Sequence, residues 1–198
     1  PAPARIAMIG LGGGSMAKYC LRYLPCVDFT AIEISPEVIA FRSKFAIPED
    51  SARFRVLCGD GADWVRDDSN HVDALIVDGF DAGGQPPQLC SQDFYDQCHG
   101  RLSESGVLVT NLWGSDLQYG ACISRLRNSF GSQVVAVSSE DPENKIIFAC
   151  KGPEFPPPER ELLKRARELN AAHRIDFTPM AMAILRRLRK RAGRQIGT

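Results

Sequence analysis

One glycine run and four acidic residues hold most of the chemistry in this chain. The run is Gly10-Leu11-Gly12-Gly13-Gly14-Ser15. Glycines permit a tight turn and let backbone come close to a ligand. A helix starting near Ser15 would aim its free N–H groups at that ligand. Glu33 follows 19 residues after Gly14. A carboxylate at that spacing can accept two hydrogen bonds from a ribose diol, as in nucleotide-binding βαβ units. Ile34, beside it, joins the same ligand-facing edge. Asp60-Gly61 offers a side chain for an adenine amino group. Asp78 and Asp81, three residues apart in Asp78-Gly79-Phe80-Asp81, suit binding an amine and taking its proton. A turn-capping role for Asp81 stands beside the amine-binding one.

The loop is not the G-x-G-x-x-G of nicotinamide enzymes, because Ser15 stands where the last glycine belongs. The pattern therefore suits an adenosine-containing ligand without a pyrophosphate. S-adenosylmethionine has that chemistry.

These residues need a scaffold that gathers them. Arg5–Gly10, Phe29–Ile34, Phe54–Cys58, Ala74–Asp78 and Gly106–Leu112 read as buried strands. Helices are expected at 15–23, from Pro36 to about Phe45, at 62–66, 91–102 and 119–130. Val134–Ser138 and Ile146–Cys150 read as late strands pairing antiparallel. Alternating strands and helices imply an α/β fold: a mostly parallel sheet with helices on both faces and an antiparallel last strand. Ligands in such folds bind beyond the carboxyl ends of the strands. Those ends carry Gly10–Gly14, Glu33, Asp60, Asp78 and Asn111. Asn111, Trp113 and Tyr95 are candidates for an acceptor pocket, with Trp113 equally suited to packing and at least one of Phe94 and Tyr95 assigned to the core.

Composition narrows the class. The chain has 198 residues, 44% hydrophobic and 24% charged, which fits a globular domain and excludes a disordered one. No apolar run is long enough to span a membrane and no signal peptide is visible. Seven cysteines show no Cys-x-x-Cys, so reduced thiols in a cytoplasmic protein without a metal site are expected. Cys90 and Cys98 read as small hydrophobic residues. No Gly-x-Ser-x-Gly elbow supports a hydrolase.

The net charge of zero hides an asymmetry. Residues 1–158 carry 13 basic and 20 acidic side chains; residues 159–198 carry 11 and 4. The division follows Pro156-Pro157-Pro158, so residues 1–155 are expected to be the ligand-binding domain and 156–198 a linker with basic helices. One helix spans Glu159–Ala172. A second starts at Thr178, read as an N-cap before Pro179, and runs to about Arg191. Met180, Ala183, Ile184, Leu185 and Leu188 form its apolar stripe, with Arg186, Arg187, Arg189, Lys190 and Arg191 elsewhere. Packing on the acidic body with a solvated basic face is the favoured reading. The alternative is a contact with nucleic acid or an acidic partner, and the lack of aromatics among the basic residues argues against single-strand binding.

Taken in order, Gly12-Gly13-Gly14, Ala31-Ile32-Glu33-Ile34, Gly59-Asp60-Gly61 and Val77-Asp78-Gly79-Phe80-Asp81 resemble the spermidine synthase (polyamine aminopropyltransferase) family over roughly residues 5–150. Phe94-Tyr95 and Gly106-Val107-Leu108-Val109 also fit. The resemblance implies a class I methyltransferase-like Rossmann fold and decarboxylated S-adenosylmethionine or methylthioadenosine as ligand. Glu33 would hold the ribose, Asp60 and Gly61 the adenine side, and Asp78 would be the general base. Asp81 would bind the acceptor amine. The implied reaction moves an aminopropyl group to putrescine or another small amine, and a homodimer is compatible with it.

Three departures accompany the resemblance. Ser15 replaces an aspartate that contacts the aminopropyl arm and repels the carboxylate of intact S-adenosylmethionine. The family's N-terminal β-rich domain has no counterpart ahead of Arg5 in this sequence. The family's Asp-Ser-x-Asp-Pro is Asp78-Gly79-Phe80-Asp81-Ala82 here. Methyl transfer from S-adenosylmethionine, and a noncatalytic member using its basic tail to bind a partner, therefore stand as alternatives.

Overall fold

The computed structural model describes residues 3–195, except Ala82, Glu140, Pro142, Pro153, Glu154 and Pro156, with side chains described as far as Leu188. Pro156 of the expected linker, Ala82 of the acidic motif, and the side chains of Arg189, Lys190 and Arg191 thus lie outside the described residues. Seven strands form one sheet: β1 (Arg5–Ile9), β2 (Asp28–Glu33), β3 (Phe54–Cys58), β4 (Val72–Val77), β5 (Leu102–Trp113), β6 (Val134–Ser138) and β7 (Asn144–Cys150). Their order is β3-β2-β1-β4-β5-β7-β6. The first five are parallel, while β7 runs antiparallel to both β5 and β6. The order reverses between β1 and β4, and a crevice opens at such a switch.

Among the described residues seven α-helices accompany the sheet: α1 (Ser15–Tyr23), α2 (Pro36–Ala40), α3 (Gly61–Arg66), α4 (Gln92–Arg101), α5 (Tyr119–Phe130), α6 (Glu159–Ala172) and α7 (Thr178–Gln195). Alternation along β1 explains the two layers. Ala7 and Ile9 enter a core with Val65 of α3, Phe94 and Tyr95 of α4 and Leu126 of α5. Ile6 and Met8 enter the opposite core with Ala17 and Cys20 of α1. A period of two sends neighbours to opposite faces, so a buried parallel strand is apolar at every position.

Several expectations need correction. α2 ends at Ala40 and gives way to turns that reach Ala46, whose φ is +51°. A 3-10 turn at Pro87–Cys90 precedes α4 and was not foreseen. It carries Cys90 to α5, where Cys90 and Cys122 form a disulfide with Cα atoms 5.7 Å apart. Cys90 is therefore no free thiol; Cys20, Cys26, Cys58, Cys98 and Cys150 are. Thr178 is not the cap of α7. The Asp176 carboxylate accepts its backbone N–H at 2.9 Å, and its hydroxyl accepts from Asn170 at 2.9 Å.

The apolar stripe of α7 lies where the sequence puts it. Ile184 packs with Val135 and Val137 of β6, flanked by Met180, Ala183 and Leu188, and Leu185 is buried too. His173 caps the C-terminus of α6, and its Nδ1 is 2.9 Å from the Tyr19 hydroxyl of α1. The exposed basic side chains, Arg186 and Arg187, are thus the solvent face of a packed helix. Among the described residues no helix is long and apolar enough to cross a membrane. Ile184→Ala is expected to cost about 2–4 kcal/mol, the usual range for such a buried truncation. Urea unfolding checks this; a loss near zero would make α7 an appendage.

Candidate functional site

Backbone ladders continue past the strand ends and draw the acidic residues together. The Gly10 N–H donates to Ile32 O at 2.8 Å, Gly59 N–H to Glu33 O at 3.0 Å, and Asp78 N–H to Ile9 O at 2.9 Å. Gly10, Glu33, Gly59 and Asp78 thereby stand side by side across four strands. Gly10 has φ +96°, and a Cβ there would collide with the Asp78 carbonyl. The first glycine is fixed by sheet geometry as well as by any ligand.

Glu33 ends β2 with little surface exposed. One carboxylate oxygen accepts the Leu11 N–H at 2.9 Å, and the other accepts the Ser35 N–H at 2.9 Å. The carboxylate thus ties the glycine loop to the end of β2. Each oxygen keeps a lone pair for a further donor. Ile34, next along, is exposed.

The loop then enters α1 through Gly14, which caps the helix in the left-handed region at φ +67°. Its absent Cβ leaves room for Ile47, whose Cγ1 would sit only 2.5 Å away. Gly12, at φ +50°, faces open space, and Gly13 lies near Phe45. Ser15 is exposed at the first position of α1. Asp60 caps α3 by accepting the Ala62 N–H at 2.7 Å. Gly61 has no space for a Cβ because Ile9 of β1 packs against it.

Asp78 is exposed just beyond β4. One of its oxygens accepts from the Asn111 side-chain amide at 3.1 Å. The Asn111 carbonyl oxygen is buried without a partner among the described residues. Asp81 uses one oxygen to accept the Gly83 N–H at 2.7 Å, and its backbone pairs with Gly84. Asp81 therefore shapes a tight turn, and its second oxygen is what remains for a ligand.

Tyr95 needs correction as an acceptor-pocket candidate. It is wholly buried, its hydroxyl meets the Cys90 sulfur at 3.8 Å, and burial pushes its pKa up. Trp113 is half exposed and stacks on Phe80, with ring centroids 5.4 Å apart. Phe80 was quoted in the motif without a role. Its contact joins the loop after β4 to the end of β5, a long-range pairing with no local sequence signal. Gln85 and Asp116, which line a small cavity beside Trp113, were likewise missed.

The fold and this edge define a class of α/β proteins that bind ligands at the carboxyl end of a parallel sheet. Comparison with known proteins makes the class specific. The spermine/spermidine synthase domain model matches residues 1–136. The polyamine aminopropyltransferase of Chromobacterium violaceum is 37% identical over 176 residues, covering 88% of this chain and 67% of that protein. A crystal structure of spermidine synthase with the transition state analogue AdoDATO has a TM-score of 0.65 at 25% identity, over 77% of this chain and 56% of that one. Human methyltransferase-like protein 13 in complex with SAH has a TM-score of 0.80 at 24% identity, over 88% and 83% of the two chains, and speaks for the fold alone. The chain belongs to the spermine/spermidine synthase family.

Two glycine substitutions separate strain from crowding. Gly12→Ala carries the left-handed penalty of about 1–2 kcal/mol. Gly14→Ala adds the clash with Ile47 and is expected to cost about 1–3 kcal/mol more. Thermal unfolding of both variants tests this; equal losses would mean that Ile47 yields without strain.

Proposed function

We propose that this chain binds decarboxylated S-adenosylmethionine at the glycine-loop edge and transfers its aminopropyl group to a small amine. The observation that carries the proposal is Asp78, oriented by Asn111 and set directly against the Gly10 turn. Family membership adds the reaction type.

Charge supports the same reading. Glu33, Asp60, Asp78 and Asp81 make the edge acidic. The donor carries a sulfonium and an ammonium, and the acceptor is an amine, so an acidic edge attracts both. Phosphates would be repelled there. Each free lone pair on Glu33 can take a ribose hydroxyl. The exposed Ile34 side chain offers an apolar surface beside it, and the open backbone at Gly12 and Gly13 admits close approach.

In the proposed step an acceptor nitrogen attacks the aminopropyl carbon bonded to sulfur. The new C–N bond forms as the C–S bond breaks, and methylthioadenosine leaves. Asp78 takes the proton released from nitrogen through the oxygen that Asn111 does not occupy. Asn111 fixes the direction of the carboxylate. Asp81 draws the acceptor in with its remaining oxygen, over the Phe80–Trp113 stack.

A second reading, methyl transfer from intact S-adenosylmethionine, is favoured by one observation. Ser15 puts a neutral hydroxyl where the resemblance expects a repelling carboxylate. The product separates the two: methylthioadenosine for aminopropyl transfer, S-adenosylhomocysteine for methyl transfer.

Asp78→Asn is expected to lower kcat by about 10²–10⁴-fold, the usual scale for a lost general base, with donor affinity nearly unchanged. Timed chromatography of methylthioadenosine release with putrescine as acceptor measures it. Unchanged turnover in the variant would remove Asp78 from the base role.

A further inference from the structure

We propose that Asp116 is a specificity-determining residue of the acceptor side: its free carboxylate oxygen binds the far ammonium of a linear diamine whose near nitrogen lies at Asp78. This role rests on the reading of function above, and it names what holds the unreacting end of the acceptor. Asp116 belongs to none of the motifs that carry the family resemblance. β4 and β5 run parallel as far as Val77 and Thr110, and beyond them side chains meet in order. Asp78 meets Asn111 at 3.1 Å, and Phe80 stacks on Trp113 with ring centroids 5.4 Å apart. The Gly84 turn and Asp116 come next. A Cβ on Gly84 would lie 3.6 Å from Asp116 Oδ2 and 3.9 Å from the Trp113 ring. Asn111 and Trp113 are two strand residues apart, about 7 Å, which is the scale of a short diamine. Asp116 lies on the Trp113 side.

The carboxylate is equipped for a cation. Asp116 is partly buried, and its Oδ1 accepts the Gln118 N–H at 2.7 Å. Its other oxygen is left over, and no salt bridge engages Asp116 among the described residues. The neighbouring Lys145 lays its stem against Gly114 and donates its ammonium to the Ser138 hydroxyl at 3.0 Å. Two buried polar atoms here lack partners among the described residues: the Asn111 carbonyl oxygen and the Gln85 side-chain nitrogen. The Asn111 oxygen can accept from an ammonium held at Asp78. Gln85, Trp113 and Asp116 share a cavity of about 10 Å³, the room of one water and too small for an amine. The acceptor therefore lies outside that cavity, along the exposed Trp113 ring.

Charge at both ends separates a diamine from a monoamine at this wall. Asp78, Asp81 and Asp116 set three carboxylates around one aromatic pair, and their mutual repulsion falls with each ammonium that enters. Methylenes cover the ring surface, and an ammonium over the indole face gains from its quadrupole. A monoamine neutralises the Asp78 end and leaves Asp116 without a counter-charge. A turn-forming role alone asks less of Asp116, because an asparagine oxygen accepts the Gln118 N–H as an aspartate oxygen does. Asp116→Asn therefore removes the charge and keeps the turn.

Calorimetric titration of putrescine and of n-butylamine, its monoamine counterpart, into the full chain saturated with methylthioadenosine tests the role. The wild type is expected to bind the diamine about tenfold or more tighter than the monoamine, the scale of one hydrogen bond between charged groups. In Asp116→Asn that margin is expected to vanish, with the variant's circular dichroism preserved. An equal margin in the two proteins would overturn the role of Asp116. Turnover with decarboxylated S-adenosylmethionine gives a second readout. The variant is expected to raise KM for putrescine by about tenfold with kcat nearly kept, the mark of a binding contact away from the reacting atoms. A loss confined to kcat would also overturn it. If neither amine yields methylthioadenosine, the reading of function fails, and the binding margin still decides Asp116. Binding of neither amine to the wild type would overturn both.

Discussion

A buried carboxylate at the end of a strand has to be surrounded by donors, because a charge without partners is too costly away from water. Glu33 meets that demand with the backbone of its own neighbourhood. Its two oxygens hold Leu11 in the glycine loop and Ser35 at the start of α2. Removing it would leave two N–H groups seeking acceptors and would free the loop from β2. The side chain proposed to take the ribose is therefore also the clamp that ties the glycine loop to the start of α2. Hydrogen bonds to a charged group are worth roughly 1.5–3 kcal/mol, enough to hold a glycine-rich loop against its own entropy.

The sheet supplies what Glu33 cannot. Gly10 lies so close to the Asp78 carbonyl that only glycine fits. The loop after β1 and the acid after β4 are thus fixed relative to each other by backbone packing. Asn111, one strand further, orients the acid. Three adjacent strands each contribute one part, and they meet where the strand order reverses between β1 and β4.

Much of this was legible in the sequence for physical reasons. Strands buried on both faces are apolar throughout, so β1 and the Ala74–Val77 stretch of β4 stood out as short runs. α1, α5 and α6 were bounded correctly, α1 by glycines before it and α6 by prolines before it. Glu33, Asp60 and Asp78 were singled out because strand ends are where such folds place ligands, and the structure sets all three at strand ends. What escaped depends on contacts between distant segments. Tyr95 sits on a helix whose pattern does not tell which of two adjacent aromatics faces inward, and both do. The Cys90–Cys122 bond joins residues 32 apart through a 3-10 turn with no periodic signal. The Phe80–Trp113 stack and the small cavity beside it are of the same kind. α2 ended early because Phe41 to Ala46 folds back beside the glycine loop, where Lys18 donates to the Phe45 carbonyl at 2.7 Å.

Glu33 is proposed to organise a donor site on the acidic edge. Calorimetric titration of decarboxylated S-adenosylmethionine into wild-type protein and Glu33→Gln tests it most directly. A glutamine has one acceptor oxygen in place of two, so it can hold Leu11 or Ser35 but not both. The account predicts saturable binding to the wild type and an affinity about tenfold or more weaker in the variant, about 1.4 kcal/mol, with its circular dichroism preserved. Equal affinities in two folded proteins would contradict it.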